Sequence, residues 1–202
     1  MRVPRSAART PDAIAWDFLD TRCSYRELLA DIERCADALA ALGLARGQSL
    51  LIAMPTTPQG VIAFYAANRL GAVPALIHPL STTAEIEHYL DASGAELALA
   101  LDAFYPQMAA ARPRQPLRHI VVARIGDRLP ILKRLGFWLA KGRRIRAIPR
   151  DPRVHTWRQL MQVRHPAAPP AAGGVDVAGE ERPPPRRHRR RPFRSLRRGS
   201  RA

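Results

Sequence analysis

The sequence predicts an α/β fold with a mainly parallel sheet, and three observations lead to that prediction. Short apolar segments recur along the chain as far as Ala123, segments with helical periodicity lie between them, and capping patterns mark where two helices begin. Strands that alternate with helices in this way are typical of βαβ units. Their crossovers are almost always right-handed, and they build a parallel sheet that is flanked by helices.

The first helix has the clearest boundaries. Before it, Pro11–Asp20 alternates loosely between apolar and polar residues and predicts an opening strand. Ser24 and Glu27 then have the spacing of a capping box, which predicts the start of a helix. Gly43 predicts its end. Between these points, apolar residues recur at steps of three and four and form one face: Leu28, Leu29, Ile32, Cys35, Ala36, Leu39 and Leu42.

Four short apolar segments predict the strands of the sheet: Ser49–Met54, Ala72–Ile77, Glu96–Leu101 and His119–Ala123. Two further helices lie between the first three of these strands. Pro58 suits the first turn of one helix, which runs to Gly71. A second capping box at Thr82 and Glu85 opens the other, which ends at Gly94.

The pattern is weaker from Arg124 to Met161. Apolar residues between Leu129 and Leu139 lie along one helical face, and lysines and an arginine lie on its other sides. Such a basic amphipathic helix either docks on the sheet or lies on an anionic membrane surface, and docking is the simpler interpretation. His155–Met161 predicts a final short helix.

The composition changes abruptly after His165. Arg, Pro, Ala and Gly supply most residues from Pro166 to Ala202, and no periodic apolar pattern remains. Such a segment cannot bury enough surface to offset its conformational entropy. We therefore expect an incomplete N-terminal domain at residues 1–165 and a disordered, basic C-terminal tail at residues 166–202. The near absence of Lys among the basic residues indicates a GC-rich gene, and we hypothesise that the tail arises from a frameshift near His165.

The net charge of +16 belongs to the second half of the chain. Residues 1–110 carry 8 basic and 12 acidic side chains, a net of −4. Residues 111–165 carry 15 and 2, a net of +13, and residues 166–202 carry 10 and 3, a net of +7. The high isoelectric point of the whole chain is therefore no guide to what the mildly acidic first half does.

Few groups in the sequence suggest a catalytic or metal site. It contains no glycine-rich phosphate loop, no His-Glu-x-x-His, no Cys-x-x-Cys and no Gly-x-Ser-x-Gly. His78 is the one ionisable candidate, because it follows a predicted strand and ligands of open parallel sheets bind beyond the carboxyl ends of strands. The alternative is that its ring bonds a neighbouring loop or faces water. We expect His88, on a predicted helix, to be solvated.

The cysteines give an indication of the cellular compartment. Cys23 and Cys35 form no metal-ligand pattern, and we expect them to be two reduced thiols. The sequence shows no secretory signal and no apolar run of the length of a transmembrane segment. These features predict a cytoplasmic protein.

Several segments, taken in order, resemble the start of the adenylate-forming enzymes, the AMP-dependent synthetases and ligases. The segments that carry this resemblance are Pro11–Ala15, Ser24–Leu28, Ala41–Gln48, Leu51–Pro55, Ala66–Pro74 and His78–Leu80. Many members of the family have an Asn-Pro pair where His78 and Pro79 stand. The region from Leu129 to Leu160 resembles the acyl-CoA synthetase branch, especially its fatty-acyl members.

The resemblance implies a two-step reaction. A fatty or other carboxylic acid attacks the α-phosphate of ATP to give an acyl-adenylate and pyrophosphate, and the thiol of coenzyme A then displaces AMP. ATP, Mg and coenzyme A are thus implied by the family. Its Ser/Thr/Gly-rich phosphate loop should follow shortly after Met161, where the Arg/Pro tail stands instead. No catalytic, cofactor-binding or metal residue of the family can be assigned here, and we expect the chain to be inactive alone.

The competing prediction is a non-enzymatic basic binding module that contacts nucleic acid or an anionic membrane. The cluster Arg186–Arg191 would attract any polyanion through its charge. Phe193 is the only aromatic residue near it, so bases would have little to stack on. This interpretation predicts non-specific binding that weakens with salt.

Overall fold

A five-stranded parallel sheet organises the part of the chain that the structure describes. The computed structural model describes residues 3–112, 117–124, 127 and 151–162. The sheet strands are β3 (Ser49–Ala53), β4 (Val73–Leu76), β5 (Leu97–Leu101), β6 (His119–Ala123) and β7 (Val154–Thr156). They lie in the order β4-β3-β5-β6-β7, and every neighbouring pair is parallel. This confirms the predicted fold class.

Helices cover both faces of the sheet. They are α1 (Val3–Arg9), α2 (Tyr25–Ala41), α3 (Pro58–Arg69), α4 (Thr83–Ser93), α5 (Tyr105–Ala111) and α6 (Trp157–Gln162), with a 3-10 turn at Asp102–Phe104. Alternate residues of a strand point to opposite faces, so each strand serves two cores. One core joins α2, α3 and α6 through Ile32, Leu39, Leu50, Ile52, Ile62, Leu99, Val121, Trp157 and Leu160. The other joins α4 and α5 through Leu51, Ile86, Leu90, Ala98, Ala100, Met108, Ile120 and Val122.

The predicted capping boxes are present. The Ser24 hydroxyl accepts from the Glu27 backbone N–H, and the Glu27 carboxylate accepts from the Ser24 N–H at 2.8 Å. Thr82 and Glu85 exchange the same bonds at the start of α4. Each box satisfies backbone donors that a helix start otherwise leaves unpaired.

The opening strand is shorter than predicted, and a hairpin follows it. Strand β1 (Ile14–Phe18) pairs antiparallel with β2 (Thr21–Ser24), which the sequence analysis did not predict. The turn places Leu19 and Asp20 at φ 51° and 57°. A two-residue hairpin turn needs positive φ, usually supplied by Gly or Asn. The Leu-Asp pair therefore gave no recognisable turn pattern.

The last predicted helix begins two residues later than expected. His155 and Thr156 belong to strand β7, and the helix α6 starts at Trp157. The side-chain oxygen Oε1 of Gln159 accepts from the Thr156 backbone N–H at 2.9 Å, and the Thr156 hydroxyl accepts from the Gln159 N–H. This is a third capping box. Helices α1 and α5 were not predicted either, because each spans only seven residues.

The predicted amphipathic helix at residues 129–139 and the predicted tail at residues 166–202 lie outside the described residues. Within the described ranges, no helix has both the length and the apolar character that crossing a membrane requires.

Candidate functional site

The sheet changes direction between β3 and β5. The chain runs from β3 outward to β4 and then crosses back to the other side of β3, where β5, β6 and β7 follow. Ligands of open parallel sheets bind at such a switch point, beyond the carboxyl ends of the strands. The carboxyl edge of β3, β5 and β6 is therefore where we look for a functional site.

Helix α3 begins directly beyond the end of β3. The Thr57 hydroxyl caps it by accepting from the Gly60 backbone N–H at 3.4 Å, and Pro58 suits the first turn because that position needs no donor. A Cβ on Gly60 would lie 3.3 Å from the Met54 Cβ, so glycine lets this turn pack closely on the strand end.

Gln59 ties the first turn of α3 to the end of β6. Its side-chain Nε2 donates to the backbone carbonyl of Arg124 at 2.9 Å, across 65 positions of sequence. The residue is completely buried, and its Oε1 atom accepts no hydrogen bond from the residues that the structure describes. A buried acceptor without a donor costs free energy.

Two carboxylates flank Arg124. Asp102, which follows β5, has a side chain only 12% exposed, and its oxygen lies 3.8 Å from the Arg124 Nε. Burial raises the pKa of Asp102, while the Ala103 backbone N–H and the Arg124 charge partly oppose that rise. Asp127 accepts from the Arg124 backbone N–H at 2.9 Å and lies 3.8 Å from the Arg158 Nε of α6.

The carboxyl edge therefore holds two acid–arginine pairs, Asp102 with Arg124 and Asp127 with Arg158. Of the residues that the structure describes, Arg124 and Arg158 each face a carboxylate here. Magnesium takes oxygen ligands, usually one or two carboxylates together with substrate phosphates and water. The described residues contain no group of three or more His, Cys, Asp or Glu side chains that could hold a metal ion.

His78 lies where the sequence predicted, beyond the end of β4, but outside the switch point. It is exposed, and its Nδ1 accepts from the Leu80 backbone N–H at 3.2 Å. The bond to the neighbouring loop is the alternative that the sequence analysis left open. His88 is exposed on α4 beside the Tyr89 ring, as expected for a solvated residue.

The opposite, amino edge of the sheet holds a histidine pair that the sequence analysis missed. The Nε2 of His155 on β7 lies 3.1 Å from the Nδ1 of His119 on β6. Asp151 nearby accepts from Arg112 at 2.8 Å and from the Arg153 backbone N–H at 2.8 Å. These two bonds, with that of Arg153 the stronger influence, hold the pKa of Asp151 below its usual value. In the sequence these two histidines stand 36 positions apart. Only the strand register shows that they form a pair.

Comparison with known proteins identifies a family. The model of the family described as AMP-binding enzyme matches residues 3–167. The long-chain-fatty-acid–CoA ligase of Bacillus subtilis (strain 168) is 25% identical over 158 residues, which cover 78% of this chain and 28% of that protein. The long-chain-fatty-acid–CoA ligase FadD13 of Mycobacterium tuberculosis (strain H37Rv) is 35% identical over 80 residues, or 40% of this chain and 16% of that protein.

Solved structures give the same result for the fold. A benzoate CoA ligase from Burkholderia xenovorans LB400 has a TM-score of 0.64 and 22% identity, and the match covers 87% of this chain and 30% of that one. The N-terminal domain of FACL13 from Mycobacterium tuberculosis has a TM-score of 0.58 and 28% identity over 66% of this chain and 34% of that one. The present chain thus spans less than a third of the length of the curated relatives named above.

Proposed function

Because the chain belongs to the AMP-binding enzyme family, we propose that it is the N-terminal part of an AMP-forming acyl-CoA synthetase. The proposed reaction converts a carboxylate, ATP and coenzyme A into acyl-CoA, AMP and pyrophosphate. The observation that carries the proposal is the family match over residues 3–167. Each element of the described sheet lies within that range.

The proposed substrate is a fatty acid. This rests on the two relatives described above, both of which are named long-chain-fatty-acid–CoA ligases. The benzoate CoA ligase supports the fold alone, because its identity is 22%. The two cysteines are buried thiols, which agrees with a reducing compartment, and we place the protein in the cytoplasm.

The proposal includes that this chain does not catalyse the reaction by itself. Attack on the α-phosphate of ATP needs cations and hydrogen-bond donors around the phosphates. At the carboxyl edge, Arg124 and Arg158 each face an aspartate, so a polyphosphate there would have to displace a carboxylate. A phosphate-binding loop would have to come from other residues.

The role proposed for the described residues is to support such loops. Gln59 joins α3 to the end of β6, and Asp127 joins the end of β6 to α6. These contacts fix three neighbouring element ends relative to one another. A rigid strand edge of this kind positions loops more precisely than loops position themselves.

A chimera tests the proposal. Residues 3–162 replace the matching segment of the Bacillus subtilis ligase, and acyl-CoA formation is measured with acetate, octanoate, palmitate and benzoate. We expect activity with the longer fatty acids, because the two relatives that support the substrate proposal are both named long-chain-fatty-acid–CoA ligases. Two variants of the chimera examine the edge: Asp127→Asn should lower the rate, and Asp91→Asn, on the exposed side of α4, should leave it unchanged.

A folded chimera that forms no acyl-CoA from any of the four acids would contradict the proposal. Circular dichroism and a cooperative urea transition establish whether the chimera is folded. Activity with benzoate alone would support the ligase assignment and overturn the fatty-acid assignment.

A further inference from the structure

The register of β6 and β7 brings His119 and His155 together. Val121 lies opposite His155 and Ile120 opposite Val154, so both imidazoles project from the face of the sheet that α2 and α6 cover. Their rings are 5.1 Å apart between centroids, and Nε2 of His155 lies 3.1 Å from Nδ1 of His119. One nitrogen must carry the proton and the other must accept it.

This contact survives the first protonation but not the second. Two neutral imidazoles can share the hydrogen, and so can one neutral and one charged ring. When both are charged, both facing nitrogens carry hydrogens, and two like charges stand at hydrogen-bond distance. We propose that the His119–His155 contact is an acid-sensitive latch, which holds β7 and α6 on the sheet until both imidazoles are protonated.

The surrounding charges favour the closed, neutral state. Burial, and then the Arg118 and Arg153 charges, lower the pKa of His119 from its usual 6.5. Burial, and then His119 itself, lower the pKa of His155 from the same value, and Asp151 partly opposes this. Asp151 is engaged by Arg112, and Arg118 by Glu96 at 3.0 Å.

Helices α2 and α6 also carry charged side chains. Ion pairs and hydrogen bonds connect these side chains to groups other than the two histidines. These contacts are Arg26 with Asp12, Glu27 with Ser24, Asp31 with Arg34, Glu33 with Arg69, and Arg158 with Asp127. Asp37 of α2 also has an interaction of its own. The charges that act on the two imidazoles are those of Arg118 and Arg153 at His119 and that of Asp151 at His155.

The sign of the pH effect follows from the lowered pKa values. Above about pH 6.5, both histidines are neutral whether β7 is docked on the sheet or released from it. The latch then has its full strength. As the pH falls through that value, released histidines bind protons more readily than docked ones. Docking therefore weakens with acid until the lowered pKa values are passed.

The element held by the latch is short and lies at the edge of the described sheet. Strand β7 has three residues, and among the strands that the structure describes it pairs with β6 alone. Helix α6 follows at once and inserts Trp157, which is 3% exposed, into the core. Short edge elements open at lower free energy than central ones. Because α6 also carries Arg158, opening would release the pair with Asp127 at the carboxyl edge.

Tryptophan fluorescence tests the latch in the full chain. The chain has three tryptophans, and W16F with W138F leaves Trp157 as the only one. We expect its emission to shift to the red between about pH 7 and about pH 5, because Trp157 leaves the core. The single variants His119→Gln and His155→Gln each prevent double protonation. Each should shift the midpoint of the transition to lower pH, where the proton concentration is at least about tenfold higher.

The control is the double variant His78→Gln and His88→Gln, which removes two exposed histidines and should leave the transition in place. All samples contain EDTA, and circular dichroism at about pH 8 establishes folding. Should a glutamine variant not fold, imidazole NMR of the parent must show two coupled titrations together with loss of β7 amide protection. An unchanged transition in a folded glutamine variant, no red shift in the parent, or independent imidazole titrations would overturn the proposal.

Discussion

Strand β5 is buried along its whole length, whereas no residue of β4 is fully buried. β5 lies between β3 and β6 and has helices on both faces, so each of its side chains enters one of the two cores. Among the described strands β4 pairs with β3 alone, and Val73 and Leu76 are exposed on opposite faces. The stability of this sheet is therefore concentrated in its centre.

Hydrogen bonding at β4 shows how the edge is adapted to its position. The backbone N–H of Val73 donates to Gln48, just before β3, and that of Ile77 donates to Ile52 of β3. Both N–H groups point inward, and every second N–H between them therefore points outward, away from β3. Pro74 stands at an outward-facing position, where a missing N–H breaks no bond in the sheet. A proline there also leaves an added strand one donor fewer to pair with.

The largest difference between centre and edge should come from truncating leucines. Leu99→Ala in β5 should lower the free energy of unfolding by ~2–5 kcal/mol, because it leaves a cavity in a fully packed core. Leu76→Ala in β4, where the side chain is 64% exposed, should change it by about 0.5 kcal/mol or less. Urea unfolding of both variants measures this, and equal losses would contradict the comparison.

A smaller effect should come from the helix that joins edge to centre. Thr82→Ala removes the hydroxyl that caps α4 by accepting from the Glu85 backbone N–H, while the Thr82 backbone N–H can still donate to the Glu85 carboxylate. We expect a loss of ~1 kcal/mol in the free energy of unfolding. Thr83→Ala, one position into the same helix, keeps the cap and serves as the matched control. A loss as large in the control would show that the cap is not the cause.

The ionisation of Asp102, at the carboxyl end of the central strand β5, should lower the free energy of unfolding in a pH-dependent way. Its folded pKa is raised, mainly by burial, so ionisation costs stability as the pH rises from the usual 3.8 through the raised value. Asp102→Asn should therefore unfold at higher urea than the parent at neutral pH, and this advantage should shrink as the pH falls toward 3.8. A difference that is independent of pH would contradict the assignment.

The smallest effect should come from a partly exposed ion pair at the amino ends of β5 and β6. The Arg118 Nε and a Glu96 carboxylate oxygen are 3.0 Å apart; the Arg118 side chain is largely in solvent, and the Glu96 side chain is partly buried. Arg118→Ala should lower the free energy of unfolding by about 0.5 kcal/mol or less, and added salt should reduce that difference further. If added salt does not reduce the loss in free energy of unfolding, the comparison is contradicted, because the amino ends of β5 and β6 would then be tightly packed.

The same contrast explains what could be predicted from sequence. The central strands SLLIA and LALAL are apolar throughout, so their burial was visible without the fold. Strands β2 and β7, with the sequences TRCS and VHT, owe their pairing to a turn and to register, neither of which the sequence displayed. Terminal elements held by tertiary contacts escape prediction from local pattern.

Some residues of the candidate site could also be predicted from sequence, and others could not. His78 was found because it follows a recognisable strand, and it proved to belong to a local turn. Gln59 and Asp127 were not found, because their importance depends on Arg124, which the fold brings to them. The expectation that no catalytic residue of the family can be assigned in this chain remains a prediction.

The account is tested most directly by ATP–pyrophosphate exchange in the presence of palmitate, measured on the full chain, on the Bacillus subtilis ligase and on the chimera of the two. We predict exchange by the ligase and the chimera and none by the chain alone. Exchange by the chain alone, abolished when palmitate is omitted, would contradict the account, because it would mean that these residues carry a complete adenylation site.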